Sequence, residues 1–194
     1  QLIDAEQDHH LWAQKWDRSL DDIFEVQDEV STLIAAKVSP TLGSHESERI
    51  ERTKPNNFNA WEYYLRSLQM LNERSSTDGQ DINLDKAREL CEKAIELDPS
   101  LSHGHAMLAK ICFWELMHFT RGDSENTLVE MLEHSKKAAE LDPQNPVAAL
   151  MTATHYFFKG NFLQARNYAE KAVELNPSDP DAYMRLAATM IHSG

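Results

Sequence analysis

Nine histidines and two cysteines are the side chains here that could hold a metal or act as nucleophiles. Their spacing argues against both roles. His9-His10 stands beside Asp8 in a turn-like stretch, and His103 and His105 open a helical one. Adjacent or i,i+2 histidines without an i,i+4 partner do not put two ligands on one helical face, and no Cys pair at ligand spacing accompanies them. The six glycines are scattered, with no phosphate loop, and no Gly-x-Ser-x-Gly elbow occurs. Carboxylate neighbours such as Asp21-Asp22 read as charges at a helix start, where the macrodipole favours them. No catalysis, metal or cofactor is expected of this segment, which leaves recognition as the chemistry to look for.

The elements that would position a recognition surface are visible as a repeat. Trp61, His105, Ala149 and Tyr183 are separated by 44, 44 and 34 residues, and each opens a near-copy of one helical pattern. Leu65, Ala109, Ala153 and Ala187 follow four residues later, and Leu68, Cys112, Tyr156 and Met190 three after those. A period of this size means stacked helix-turn-helix units, which present an extended surface more readily than a catalytic pocket. The third copy is the cleanest. Ala149, Thr152, Ala153 and Tyr156 fall on one helical face, Gly160-Asn161 breaks the helix, and Ala165, Ala169 and Ala172 let a second helix approach closely. Asn176-Pro177 ends that helix, because proline lacks the amide donor and pushes the residue before it out of helical geometry. The same stop recurs at Asp98-Pro99 and Asp142-Pro143, each proline five residues after an alanine, namely Ala94, Ala138 and Ala172.

These marks resemble the tetratricopeptide repeat over residues 58–194, with Tyr183, Leu186-Ala187, Ala165, Ala172 and Pro177 on the family pattern. His105, Ala149, Cys112, Met190 and Met131 depart from it, mostly by uncharged substitutions. The resemblance implies a mainly α fold, a right-handed α-solenoid of helix pairs, with three complete repeats and a fourth truncated at Gly194. Tyr183, Leu186 and Met190 of that last repeat would be incompletely covered, and another copy of the chain is expected to cover that end, or the N-terminal hairpin, in concentrated solution. Repeats one and two hold ten residues more than the 34-residue unit. The surplus is assigned to polar loops within Asn72 to Asp81 and His118 to Asn126, since surface loops tolerate growth. Cys91 and Cys112 fall at inward positions and read as buried free thiols. His105 fills the aromatic repeat position, and His155, beside the core Tyr156, is expected to point outward.

Residues 1–43 do not follow the repeat. Gln1 to Ala5 and His10 to Trp16 read as two strands of a hairpin. Ser19 to Asp22 reads as a capping box ahead of a helix through Leu20, Ile23, Phe24, Val30, Leu33, Ile34 and Val38. Residues 44–57 read as a linker, with a polar helical stretch from Ser44 to Arg52 and Lys54-Pro55-Asn56-Asn57. The strings Gln1-Leu-Ile-Asp-Ala5, His10-Leu-Trp-Ala13, Trp16-Asp17-Arg18, Asp22-Ile-Phe24 and Gln27-Asp-Glu29 resemble the tail of a TolB-N-terminal-like domain. With the Lys-Pro linker and Ala60-Trp-Glu-Tyr-Tyr-Leu-Arg66 that follow, the order resembles bacterial multidomain signalling proteins. Those are CadC-like or ToxR-like winged-helix transcription regulators and class III adenylate/guanylate cyclases. The chain begins at Gln1 and is expected to be part of such a longer protein. A CadC-like parent would place the segment in the periplasm and a soluble cyclase would keep it cytoplasmic.

By register the first helices offer a groove. Its expected lining is Tyr63, Arg66 and Met70, then Met107, Lys110 and Trp114, then Leu150, Thr154 and Phe157, then Met184, with Glu62, Ala106, Phe113, Met151, Phe158, Arg185 and Ala188 on the same face. An aromatic, Met-rich trough with two isolated cations, Arg66 and Lys110, suits a protein or peptide segment with apolar anchors and an occasional carboxylate. The Lys/Asn clamp that chaperone-binding relatives use is absent at the equivalent positions. The formal net charge of −13 argues against nucleic acid, which needs clustered Lys and Arg. No stretch approaches the ~20 apolar residues of a membrane helix. A partner segment and self-association into a homodimer remain as the two expectations.

Overall fold

Three Asx-Pro stops punctuate the repeats, and each builds the same turn. In the computed structural model, which describes residues 2–4, 9–12, 30, 56–73, 84–120 and 122–193, the side chain of the residue before each proline accepts from the amide two positions on. Asp98 takes Ser100 N at 3.0 Å, Asp142 takes Gln144 N at 3.0 Å and Asn176 takes Ser178 N at 3.2 Å. The backbone amides of Asp98, Asp142 and Asn176 reach back to the carbonyls of Ala94, Ala138 and Ala172, closing the helix behind them. This local self-bonding is why Asp and Asn favour turns over helix interiors.

The chain divides between Lys54 and Pro55 into two units. In the second, seven helices run in order: α1 Phe58–Glu73, α2 Leu84–Leu97, α3 Ser102–His118, α4 Ser124–Leu141, α5 Pro146–Phe158, α6 Phe162–Leu175 and α7 Pro180–Ser193. Each packs on the next, and the first helices of successive pairs also touch, α1 with α3, α3 with α5 and α5 with α7. The result is a helical solenoid in which the first helices form a continuous layer. Small residues set the close approach within pairs: Ala87, Ala94, Ala138, Ala165, Ala169 and Ala172 are all buried. Gly104 serves the same end between α2 and α3, where an added Cβ would lie 2.9 Å from Ile95 Cγ1. Asn145 caps α5 by accepting from the amides of Val147 and Ala148, and its Nδ2 donates to Ser102 Oγ at 2.9 Å. Ser102 in turn donates to the Ala138 carbonyl, so one chain of bonds ties α3, α4 and α5.

Two expectations change here. The ten extra residues of repeat two are not a grown loop. α3 and α4 have 17 and 18 residues against 13 and 14 for α5 and α6, so helix takes up most of the surplus. Phe119, with φ 54°, ends α3, and Asp123 caps α4 by accepting from Asn126 N. The corresponding stretch of repeat one, including Ser75 to Gly79, lies outside the described residues. The second change concerns His155, which is buried, with Nδ1 2.9 Å from the Leu128 carbonyl. Every residue from Ala148 to His155 is buried, because α5 is packed by α3, α4, α6 and α7 together and has no outward face there.

In the first unit, β1 (Leu2–Asp4) pairs antiparallel with β2 (His9–Trp12), with Leu2 opposite Trp12, Ile3 opposite His10 and Asp4 opposite His9. The expected helix through Val38 and the polar stretch to Arg52 lie outside the described residues, apart from the single helical position Val30.

Candidate functional site

Three first helices each contribute a cluster of side chains to one cleft. Lys110, Phe113 and Trp114 come from α3, Leu150, Met151 and Thr154 from α5, and Asp181, Met184 and Arg185 from α7. The spacing within each helix is i to i+4, so each cluster shares a face. Leu150, Met151 and Thr154 are buried and form the floor. The Thr154 hydroxyl donates to the Leu150 carbonyl at 2.8 Å, so the floor offers no free hydroxyl. Phe113, Trp114 and Lys110 are half-buried walls, and Met184, 62% exposed, stands on the opposite rim. The cleft encloses about 60 Å³. Small-molecule pockets run to roughly 300–1,000 Å³, so this one admits a side chain and not a metabolite.

The structure thus brings Lys110, Trp114, Leu150, Thr154 and Met184 together. Phe157 stands beside them, its ring 4.7 Å from the Arg185 guanidinium and in edge contact with Phe162 and His192. Met107 is buried with Leu71, Leu84, Cys91, Leu108 and Ile111, and Met70 packs against that cluster, so both belong to the wall between repeats. Tyr63 packs against Ala60, Ala94 and Leu101. Arg66, read above as an isolated cation, is paired with Glu62 at 2.6 Å one turn away. That pairing corrects the reading, since i,i+4 charges on an exposed helix find one another. Asp181 was missed, although its place three before Met184 put it on the same face.

The reactive side chains elsewhere are spoken for. Cys91 and Cys112 are buried, and burial pushes both thiols up to about 12, far from the thiolate that nucleophilic chemistry needs. His105 and His134 stack with Nδ1 atoms 3.1 Å apart, and His105 Nε2 meets the Pro99 carbonyl at 3.2 Å. That carbonyl can only accept, so His105 carries its proton on Nε2 and receives one from His134 Nδ1. Arg88 on α2 donates twice to Glu115 of α3, at 2.8 and 2.7 Å, and once to Glu130 of α4 at 2.5 Å. Burial alone would weaken its charged form, but those bonds more than offset it and its pKa lies above the ordinary value. Among the described residues no group of three His, Cys, Asp or Glu could hold a metal ion, and no helix is long and apolar enough to cross a membrane.

Comparison with known proteins agrees with this geometry. The family model of the tetratricopeptide repeat matches residues 83–101 and 153–179, the first taking in α2 and its Asx-Pro turn, the second α6 with the end of α5. A protein of Rhizobium meliloti (strain 1021) named "Putative adenylate cyclase 3" is 30% identical over 146 residues, 75% of this chain. The chain spans only about a quarter of that relative's length, 24%. Alternating helices, recurring Asx-Pro turns and an inner layer of first helices make this a region of tetratricopeptide repeats, a protein–protein interaction module.

Proposed function

We propose that the cleft across repeats two to four receives a segment of another polypeptide, and that the chain is the interaction region of a bacterial signalling protein. The observation that carries this is the cleft's build: a buried apolar floor with aromatic walls, open to solvent, and sized for single side chains. A groove of that kind takes extended or helical segments by anchoring a few residues. The relative named as a cyclase supports a nucleotide-cyclase parent over a winged-helix regulator. The residues resembling a TolB-N-terminal-like tail fit either parent.

The test starts from dodecapeptides selected from a random displayed library on this chain, with affinities measured in solution. Met184→Glu puts a charge on the rim and is expected to weaken selected peptides about tenfold or more, some 1.4 kcal/mol. Val129→Glu, at an exposed site on the second helix α4, is expected to leave them unchanged. Peptides insensitive to the first change, or equally sensitive to both, would overturn the reading.

A second reading is favoured by α7, where Tyr183, Met190 and Ile191 stand exposed, Ile191 at 79%. Copies of the chain pairing through that face would dimerise an attached output domain. Light scattering then shows mass rising with concentration, and Ile191→Glu abolishes the rise; a constant mass up to high concentration counts against it.

A further inference from the structure

The cleft holds two cations, neither of them in an ion pair among the described residues, against the single carboxylate of Asp181. Seven other Lys and Arg side chains among the described residues are held by a carboxylate within 3.3 Å. Lys110 and Arg185 have no ion pair and no hydrogen bond among the described residues, yet they line the same cleft. Lys136 and Lys171 also lack an ion pair, but they stand exposed on second helices, where water is a sufficient partner. Arg185 is different: its Nε is buried with no acceptor in reach. Its guanidinium lies 4.7 Å over the Phe157 ring and 5.8 Å from that of Phe158. Stacking of this kind fixes the plane of the group and leaves the N–H edge to be satisfied by something else. A donor buried without an acceptor is costly, and a bound acceptor that engages the same guanidinium offsets part of that cost.

We infer that the segment taken by this cleft carries an Asp or Glu side chain received between Lys110 and Arg185, beside an apolar residue laid between Trp114 and Met184. The inference rests on the reading of the cleft as a peptide site. A carboxylate is the acceptor whose two oxygens match the guanidinium edge. Asp181 on the rim opposes it, leaving the cleft one positive charge in excess, while the chain as a whole carries −13. The distant charges act weakly, because physiological salt screens exposed groups beyond about 8 Å. The nearby pair therefore decides the sign of what binds, and the overall charge slows only the approach.

The same selected dodecapeptides give the test, each compared with its analogue in which Asp becomes Asn and Glu becomes Gln. The acidic forms are expected to bind about tenfold more tightly than the amides. Arg185→Met, which keeps an apolar stem over Phe157, and Lys110→Ala, at a half-exposed site, should each remove most of that difference, with unfolding midpoints recorded to show that both variants fold. Acid and amide forms that bind alike, yet are both lost in Met184→Glu, would overturn the carboxylate and leave the peptide site standing. Binding indifferent to Met184→Glu would overturn the site and the inference together.

Discussion

Repeats two and three share their turns and their register, but repeat two adds buried polar and charged groups to the apolar seam that holds repeat three. In repeat three the seam is small and apolar, with Ala149 and Ala153 on α5 and Ala165, Ala169 and Ala172 on α6, all buried. In repeat two polar groups join the apolar ones. Ala109, Cys112 and Met131 are buried there, but His105 also stacks on His134, and Glu115, only 2% exposed, is held by Arg88 from the preceding pair. The helices of repeat two are also a turn longer. Identical Asx-Pro turns join both, so turn chemistry and helix register define the stack and the filling between helices is free to vary. The polar groups of repeat two should respond to charge and pH, and the apolar seam of repeat three to volume.

The largest effect should come from Arg88→Met. It removes the guanidinium from between Glu115 and Glu130, and breaking a buried pair from one side costs about 3–5 kcal/mol. Urea unfolding measures it; a loss under about 1 kcal/mol would mean that the polar junction does not hold repeats one and two together. Next comes Ala169→Leu, which forces a branched side chain into a fully buried alanine position of α6 and should cost about 1–3 kcal/mol. A neutral result there would show that the apolar seam has slack.

A subtler contrast lies where the two first helices end. Gly160 has φ 71° and Phe119 φ 54°, so the same left-handed geometry is filled by glycine in one repeat and a phenylalanine in the other. The left-handed form costs a non-glycine residue roughly 1–2 kcal/mol. Gly160→Ala should therefore lose about 1 kcal/mol, while Phe119→Gly should gain somewhat less, because glycine also frees the unfolded chain. Two changes of the same sign in thermal unfolding would refute the comparison.

The smallest effect over the neutral range is expected from the histidines. Burial lowers the pKa of His105, His134 and His155, with Glu130 and Glu133 partly countering it at His134 and the Pro99 and Leu128 carbonyls at the other two. Arg88 adds to the lowering at His134, Lys137 at His105, and Lys159 and Lys136 at His155. The folded state thus prefers all three neutral. Stability should be steady above about 6.5, the ordinary value, and decline as pH falls through it, because the unfolded chain then binds protons that the folded one resists. The double change His105→Phe, His134→Leu should flatten that slope between pH 7.5 and 5.5; an unaltered slope would place the acid sensitivity elsewhere.

Much of this was legible in the sequence because repeats report themselves. Each alanine five residues before a proline marks a helix end, and all three do so in the structure. The misses share a cause. His155 was assigned by one-face periodicity, which fails for a helix packed by four others. Leu65 holds the register of the buried Ala109 and Ala153 but is 44% exposed, since α1 has no preceding helix to pack on among the described residues of its unit. The polar residues between His118 and Asn126 mark where the helices of repeat two break and not how far they run, so most of the surplus there is helix and not loop. At the cleft, the face was readable, while Arg66's partner and Arg185's buried Nε depend on rotamers and neighbours that no periodicity encodes.

Whether a partner segment lies on the first helices of repeats two to four is read most directly from the seven methionines. With methyl-labelled methionine, NMR spectra recorded as a selected peptide is added should show the Met184 and Met151 signals moving, while Met131 and Met107 inside the stack and Met190 on the far face of α7 stay in place. Movement of Met190 with Met184 and Met151 still would contradict the account and put the interaction on the uncovered end of the stack.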